Sequence, residues 1–370
     1  MFNFKMSKVL AGLIISASVL MGCSPNTTVN DVPVNDTKYN QVISTTSNAY
    51  VHFIDTGNSD SILIEDNGEF MLIDGGDTDD DELVNNYLKS AGVTKLKYVL
   101  ATHPHADHIG ALDTVIKNFD VETLLLGSGT ATTKTYESMI LSAKEKGLKF
   151  TKPKDGEVYT LGEGILKFYN SNNDGDSNLN NASVITLYSH GEDDFLFTGD
   201  AEKEVELLYK DIIGDIEVLK VGHHGSSSSS SIEFLKATTP EYAVILTGEN
   251  SYGHPHKEVM ENLEDLGIEV FRSDESGDIV ATSTGDGITF NTNSDSYTAN
   301  GSSSSYEEEE VHEDNHDHEH DIVYFTPNGK SYHATKDCSA LSRSKTILEG
   351  TLEEAIEQGK DDPCDFCYDE

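Results

Sequence analysis

The feature that most constrains this chain is a cluster of metal-binding residue types at the end of a short apolar strand. The strand covers residues 98–101 and is followed at once by Thr102-His103-Pro104-His105-Ala106-Asp107-His108. Imidazole and carboxylate are the groups with which proteins bind Zn²⁺ and similar cations. Four of them within six positions are unlike scattered surface histidines, so the sequence predicts a metal centre here.

The spacing of these residues fits two ions. Alternate residues at the end of a strand point the same way, so His103 and His105 can bind one ion together. Asp107 and His108 lie at the turn into a helix, predicted over 108–118, and can bind a second. Two neighbouring cations can activate a water for hydrolysis, which makes Asp107 a candidate catalytic residue.

The order of elements around this motif predicts the fold class. Between residues 49 and 291, short strands followed by helices occur twice along the chain. This order favours an α/β domain in which two sheets form an αββα sandwich with the helices outside.

Several later motifs join the first in resembling one family, the metallo-β-lactamase-fold hydrolases. The motifs are Ile62-Leu63-Ile64, Leu72-Ile73-Asp74-Gly75-Gly76, Phe197-Thr198-Gly199-Asp200, Lys220-Val221-Gly222-His223-His224-Gly225-Ser226 and Tyr252-Gly253-His254-Pro255. Together they are similar to the hydrolase domain of ComEC-type competence proteins and their stand-alone relatives. The resemblance covers about residues 49 to 291.

The resemblance implies a set of ligands for each ion. The first ion would take His103, His105 and Asp200. The second would take Asp107, His108, Asp200 and His224, with Asp200 bridging the pair. His223 would contact the substrate or support a ligand, although either of the two neighbouring histidines could be the ligand.

Other residues are expected beside the metals. Asp74 would orient a metal-bound histidine, and His254 would contact a substrate phosphate or be a loop histidine beside Pro255. Many relatives carry a further histidine just before the Asp200 motif. Here that stretch is Asn178-Leu179-Asn180-Asn181-Ala182-Ser183. Asn181 and Ser183 are therefore expected to support ligands or contact substrate, and the metals would be Zn²⁺ or Mn²⁺.

Three functions remain open at this point. ComEC-like membership implies a phosphodiesterase or nuclease acting on DNA or a wall polymer. The alternatives are hydrolysis of a small phosphoester or of phosphorylcholine on wall polymers, and non-catalytic binding of metal or wall polymer. The formal charge of −41 excludes a basic groove-reading nucleic-acid binder. No stable protein partner is predicted, and the oligomeric state stays open.

The N-terminus predicts export. Lys5 and Lys8 precede an apolar run over 9–21, which is shorter than the roughly 20 residues of a membrane span and typical of a signal peptide over 1–22. Leu20-Met21-Gly22-Cys23 resembles a bacterial lipobox. Cys23 would then carry lipid and anchor the protein on the extracytoplasmic face of the membrane, through a flexible tether over 23–48; an uncleaved anchor is the alternative.

The C-terminal part is predicted to hold a second metal site of a structural kind. An acidic, His-rich linker over 292–321 is interpreted as a disordered spacer or a metal buffer. Residues 322–370 resemble a small Ada-like metal-binding module, in which His333, Cys338, Cys364 and Cys367 would bind a structural Zn²⁺. A Cys364–Cys367 disulfide is the alternative.

Overall fold

The computed structural model describes residues 47–173 and 178–299, and between 322 and 363 all except 328–329, 334–335, 337, 339–340, 342–345 and 352–361. The chain divides into two compact units after Ser303. The predicted signal peptide, nearly all of the tether, Cys23, Cys364 and Cys367 lie outside the described residues. None of the helices within the described ranges has the length and apolar character of a membrane span.

The first unit contains fifteen strands among its described residues. Six come first: β1 Ala49–Phe53, β2 Ile62–Asp66, β3 Glu69–Ile73, β4 Lys95–Ala101, β5 Asp120–Leu126 and β6 Phe150–Thr151. Seven follow: β7 Val158–Leu161, β8 Gly164–Tyr169, β9 Ile185–His190, β10 Asp193–Phe197, β11 Val218–Lys220, β12 Tyr242–Ile245 and β13 Glu269–Arg272. The last two are β14 Ile279–Ser283 and β15 Ile288–Phe290.

These strands form two sheets. The order of the first is β15-β14-β1-β2-β3-β4-β5-β6, and the order of the second is β13-β12-β11-β10-β9-β8-β7. In the first sheet β3, β4, β5 and β6 run parallel, and in the second β10, β11, β12 and β13 do so. The polar loops that carry the predicted ligands follow the carboxyl ends of these parallel strands.

Eight helices are found in the same described part of the chain: α1 Asp81–Ser90, α2 Ala106–Ile109, α3 Leu112–Asn118, α4 Lys134–Glu145, α5 Lys203–Ile213, α6 Ile232–Thr238, α7 Lys257–Leu266 and α8 Ser273–Ser276. The longer ones bury residues at helical spacing, such as Val84 and Leu88 of α1. Helices α1, α3 and α4 pack on the first sheet, and α5, α6 and α7 pack on the second.

The core between the sheets confirms the predicted αββα sandwich. Alternate residues of β1 point inward, and the ring of Phe53 meets that of Phe197 across the sandwich at 6.2 Å between centroids. Phe168, Tyr188 and Phe195 are buried in the same layer. Each such side chain contributes about 1.5–3 kcal/mol by its removal from water, so this layer holds the two halves of the unit together.

The helix predicted over 108–118 is interrupted in the structure. It forms as α2 and α3, because backbone groups at the break bond to the loop that follows β3 instead of continuing the helix. Gly110 N donates to Gly76 O at 2.9 Å, Ala111 N to Gly75 O at 3.1 Å, and Gly75 N to His108 O at 2.6 Å. The exchange fixes the first metal-binding motif against the Asp74-Gly75-Gly76 loop.

The predicted linker begins too early. Residues 292–299 are packed on the first unit: Asp295 N donates to Val270 O at 2.7 Å, and the Asp295 carboxylate accepts from the backbone of Arg272 and from Ser276 Oγ. Tyr297 donates to Ile268 O at 2.6 Å. The sequence prediction failed here because polar residues that satisfy backbone groups look like those of a spacer.

The second unit contains a small sheet, described here by itself. Its strands are β16 Ile322–Phe325, β17 Ser331–His333, β18 Leu348–Thr351 and β19 Asp362–Pro363, in the order β18-β16-β17-β19. Two of the predicted zinc ligands, His333 at the end of β17 and Cys338 outside the strands, are buried.

Substitution of Gly110 tests the interrupted helix. A Cβ at this position would lie 2.0 Å from the Asp77 carbonyl carbon, and backbone cannot move aside easily, so Gly110→Ala should cost about 3 kcal/mol of unfolding free energy. Gly147 has a φ of +70° and open space around it, so Gly147→Ala should cost only about 1 kcal/mol. Urea unfolding of both variants measures the difference; equal losses would contradict the packing described.

Candidate metal centre

The loops that bear the predicted ligands meet at one rim of the sandwich. His103 and His105 follow β4 directly, Asp107 and His108 lie in α2, and Asp200 follows β10 by three residues. A further ligand, His224, lies in the tight turn Gly222–Gly225 after β11, where the backbone of His223 and His224 is not helical. First-sheet and second-sheet residues therefore contribute to one cluster.

Asp200 lies at the centre of this cluster. Its Oδ2 atom is 3.2 Å from His108 Nε2, 3.6 Å from His223 Nε2, 3.8 Å from His224 Nε2 and 3.9 Å from His103 Nε2. One carboxylate oxygen that faces ring nitrogens from both sheets is placed as a bridging ligand would be.

The structure brings the atoms of the two predicted ligand sets together to different extents. Ligand atoms of Asp107, His108, Asp200 and His224 all lie within 4.8 Å of one another, and Asp107 Oδ2 is 3.5 Å from His224 Nε2. For the other ion, His103 Nε2 and His105 Nδ1 lie 3.0 Å apart. The structure thus brings the second set together as a unit and places the first set beside it.

The donor atoms of the cluster fit metal ions. His108 Nε2, His224 Nε2 and Asp200 Oδ1 are buried and make no well-formed hydrogen bond within the part of the chain that is described. Buried polar atoms are normally paired, and nitrogen and carboxylate oxygen in this number suit Zn²⁺ or Mn²⁺. The cluster is therefore a suitable site for two divalent cations.

The electrostatics point the same way. Burial alone would lower the pKa of His108, but nearby carboxylates, Asp200 foremost, raise it well above its ordinary value. For His224 the carboxylates again outweigh burial and raise the pKa to about 9. Burial would raise the pKa of Asp200, yet His108 and His224 hold it well below its usual range. The centre of the cluster thus stabilises positive charge, which divalent cations supply.

Asp74 lies beside the ring of His108. Its Oδ2 accepts from His108 Nδ1 at 2.8 Å, so that Nε2 faces the cluster, and it also accepts from Thr102 Oγ1 at 2.7 Å. Its Oδ1 accepts from Thr102 N at 2.8 Å. Asp74 therefore lies on the Nδ1 side of His108, and the orienting role of Asp74 stays a prediction.

Ser183 and Asn181 hold the Asp200 loop. Ser183 Oγ accepts from Asp200 N at 3.0 Å and lies 3.2 Å from His103 Nδ1. Asn181 Oδ1 accepts from Glu202 N at 3.1 Å. Asn181 is buried and does not line the cavity, whereas its neighbour Asn180 does, so of the two roles predicted for Asn181 the contacts fit support of the Asp200 loop.

The two neighbouring histidines have different surroundings. His224 is buried, with Nδ1 3.1 Å from Leu246 O and Nε2 facing the cluster. His223 Nδ1 is 3.2 Å from Ser228 Oγ, and its ring faces the cavity. Both have a positive φ, 51° and 52°, which is an unusual backbone conformation, but His224, and not His223, is among the four residues whose ligand atoms all lie within 4.8 Å of one another. The geometry favours His224 as the ligand.

A cavity of about 320 Å³ opens over the cluster. It is lined by Asn58, His105, Ala106, Asp107, Asn180, Asp200, His223, His224, Tyr252 and His254. Burial lowers the pKa of His254 to about 3, and its Nδ1 has no hydrogen bond among the described residues. Asn250 clamps its backbone by accepting from His254 N at 3.0 Å and donating to His254 O at 2.8 Å. His254 is therefore placed where a substrate would lie.

Sequence reasoning missed two buried residues below the cluster. Asp60 Oδ2 is 2.6 Å from Lys220 Nζ, and its Oδ1 is 3.3 Å from His224 Nδ1. Burial would raise the pKa of Asp60, but Lys220 and the nearby histidines lower it to about 2. A signal was present, because Lys220 ends an otherwise apolar strand and Asp60 precedes the apolar β2.

Comparison with known proteins supports the same type of site. A sequence profile described as the metallo-beta-lactamase superfamily matches residues 54–249, more than half of the chain. ComE operon protein 3 of Bacillus subtilis is 31% identical over 196 residues, which are 52% of this chain and 25% of that protein. Recombination protein 2 of Haemophilus influenzae is 30% identical over 223 residues, 58% of this chain and 26% of that protein.

The chain therefore spans about a quarter of the length of these relatives. Among solved structures, the metallo-beta-lactamase fold protein YhfI from Bacillus subtilis aligns over 64% of this chain and 100% of its own, at 13% identity and a TM-score of 0.44.

Metal-dependent stabilisation tests the centre. After dialysis against a chelator, Mn²⁺ at about 100 times its dissociation constant should stabilise the full chain by about 2.7 kcal/mol, measured as a rise in Tm. In Asp200→Asn most of this gain should be lost, because the oxygen shared by both sets loses its charge. Asp211 is exposed on α5, so Asp211→Asn is the control; equal Tm gains in all three proteins would refute the centre.

Proposed function

This chain belongs to the metallo-beta-lactamase superfamily, and from that premise we propose that it is a phosphodiesterase acting outside the cytoplasmic membrane. Membership establishes a metal-dependent hydrolase fold, and the similarity to competence and recombination proteins supports the ComEC-like branch. The bond that is cleaved, the substrate and the location are the proposed parts.

One observation carries the proposal: Asp200 Oδ2 lies within 3.9 Å of ring nitrogens from both sheets. A shared carboxylate is the device that keeps two cations close together. When bound, such a pair supplies an activated water and stabilises the attacking and leaving oxygens of a displacement at phosphorus. No Ser, Cys or Lys nucleophile is needed.

The residues of this chain would orient the reaction. His103 and His105 would hold one ion, and Asp107, His108 and His224 the other, with Asp200 between them. Asp74 fixes the ring of His108 through the hydrogen bond to Nδ1.

The substrate would meet His223 and His254 above the metals. Their rings lie 5.5 Å apart and both line the cavity. His254 Nδ1, buried and without a partner among the described residues, can donate to a phosphate oxygen in its neutral form. Tyr252 stands beside it, 63% exposed, with its ring stacked on that of His254 at 5.5 Å.

DNA is the proposed polymer. The relatives include a recombination protein of Haemophilus influenzae and a competence protein of Neisseria gonorrhoeae, and the region that this chain shares with them holds its metal-binding motifs. The size of the cavity, about 320 Å³, supports a second candidate, hydrolysis of a small phosphoester or of phosphorylcholine on a wall polymer. The intact ligand cluster weighs against a non-catalytic binder.

The location is proposed from the N-terminal sequence. Removal of residues 1–22 would leave Cys23 as a lipidated N-terminus, which would attach the protein to the outer face of the membrane. The tether would then hold the catalytic unit near extracellular DNA or wall polymer. Radiolabelled palmitate incorporation that disappears in Cys23→Ala is the direct check.

Hydrolysis assays test the reaction. With Mn²⁺ or Zn²⁺, the full chain should cleave bis-p-nitrophenyl phosphate and labelled single-stranded or double-stranded DNA. Asp107→Ala and Asp200→Ala should lose more than the roughly 10–100-fold typical of a supporting residue, and Asp211→Ala should match the wild type. Cleavage of p-nitrophenyl phosphate or p-nitrophenyl phosphorylcholine alone would favour the small-ester function. Tight metal binding without any cleavage would overturn the proposal.

The C-terminal unit is proposed to bind a structural Zn²⁺. His333 and Cys338 are buried there, and burial lowers the pKa of His333, which keeps its ring neutral for metal binding. The other two predicted ligands, Cys364 and Cys367, lie outside the described residues.

Zinc counting tests this second site. The full chain grown with zinc should lose one bound Zn²⁺ per molecule in Cys338→Ser and in His333→Ala, measured by elemental mass spectrometry. Asp107→Ala in the same series reports loss from the other centre. An unchanged count in both C-terminal variants would refute this ligand set.

A further inference from the structure

We propose that the buried Asp60–Lys220 ion pair is a positioning device that sets the two halves of the metal centre against each other. Asp60 lies in the loop that precedes β2 of the first sheet, and Lys220 is the last residue of β11 in the second sheet. Their 2.6 Å contact therefore joins the sheets directly below the ligands. The inference rests on the proposed dinuclear site and is independent of the substrate.

The backbone of Asp60 ties together two loops that carry ligands or their supports. Its N–H donates to Asp107 O at 3.0 Å, and its carbonyl accepts from Gly76 N at 2.8 Å. Gly76 follows Asp74, which orients His108. A shift of Asp60 would therefore move Asp107 directly and His108 through the loop that holds Asp74.

The side chain of Asp60 reaches a ligand of the other sheet. Its Oδ1 lies 3.3 Å from His224 Nδ1, which is also 3.1 Å from Leu246 O. The hydrogen bond to Leu246 O and the negative charge of the adjacent Asp60 carboxylate keep the proton on Nδ1 and direct the lone pair of Nε2 to the cluster. Because the backbone of His224 has a positive φ, its ring needs such support to keep one orientation.

Lys220 determines where the Asp60 carboxylate points. Both side chains are buried, at 0% and 1% exposure. Lys220 Nζ makes no well-formed hydrogen bond to other described residues, so Asp60 is its main counterpart. The Lys220 ammonium holds Asp60 Oδ2, which leaves Asp60 Oδ1 facing His224. His108 Nδ1 lies 4.0 Å from Asp60 Oδ2 but only 2.8 Å from Asp74 Oδ2, so it pairs with Asp74.

Net stability is a weak reason for this arrangement. A buried ion pair often adds little compared with apolar side chains of the same volume, since desolvation offsets the attraction. Fixing a geometry is the contribution such pairs can make. Here the geometry that is fixed is the distance between ligands on opposite sheets.

The test uses metal binding as its readout. Lys220→Met, Asp60→Asn and the double variant are compared with the wild type, all as the full chain carrying Cys338→Ser so that the C-terminal site does not contribute. Co²⁺ titration followed by absorption spectroscopy gives the number of ions, their affinities and the ligand geometry. We expect the affinity for the second ion to fall about 10–100-fold in each variant, with an altered Co²⁺ spectrum.

The double variant separates positioning from folding. Removing one partner alone leaves an uncompensated buried charge and can unfold the protein, whereas the double variant is uncharged there. If it folds by circular dichroism and still binds the second ion weakly, positioning is supported. If it or folded Lys220→Met binds two ions with wild-type affinity and spectrum, the proposal is overturned.

A matched control comes from another buried cation. Arg272 is 2% exposed and forms ion pairs with Asp274 at 2.7 Å and with Glu275 at 3.1 Å, neither of which is a candidate ligand. Arg272→Met should lower the Tm but leave the Co²⁺ spectrum and both affinities unchanged. The same metal-binding loss in this control would attribute the effect to general destabilisation and overturn the inference. Phosphodiesterase activity is measured in a separate assay. A negative result there would overturn the proposed function but would not affect the interpretation of the Co²⁺ binding data.

Discussion

The structure depends on the burial of several carboxylates where the two sheets meet. Asp60, Asp74 and Asp200 are at most 1% exposed, and an isolated carboxylate cannot be buried at so little cost unless positive charge or hydrogen-bond donors surround it. Lys220 forms an ion pair with Asp60, and His108 donates a hydrogen bond to Asp74. Asp200 is left facing histidine rings, which is why the remaining charge balance calls for cations.

That requirement explains the form of the rim. Parallel strands of both sheets end at this rim. The loops that follow β4, β10 and β11 carry the candidate ligands. Because the loops after β3 and β4 exchange backbone hydrogen bonds, α2 is cut short at Gly110. The backbone bonds at the interruption hold His108 beside Asp74, whose Oδ2 accepts from His108 Nδ1 at 2.8 Å. Local irregularity is thus the means by which a regular sandwich holds a polar site.

Much of this could be predicted from sequence, and the limits have physical causes. The density of ligand types from His103 to His108 is a local signal, and so is the order of strands and helices. The Asp60–Lys220 pair joins positions far apart along the chain, and neither residue has a neighbour that reveals the other. The choice of His224 over His223 depends on which of the two rings the fold buries beside Asp107, and the place of Asn180 in the cavity lining depends on the path of its loop.

The overall charge of −41 acquires a more specific meaning from the site. No Lys or Arg is among the described residues that line the cavity, and the nearest buried cation, Lys220, is neutralised by Asp60 beneath the ligands. A phosphate that enters would meet two carboxylates, those of the candidate ligands Asp107 and Asp200, among lining residues that are otherwise uncharged or histidine. Surface charge is screened within about 8 Å at physiological salt, so the acidic surface farther away would repel a phosphate at the metal ions only weakly. Metal ions would then provide substrate affinity as well as reactivity, and the proposed hydrolysis of a polyanion would need no basic groove.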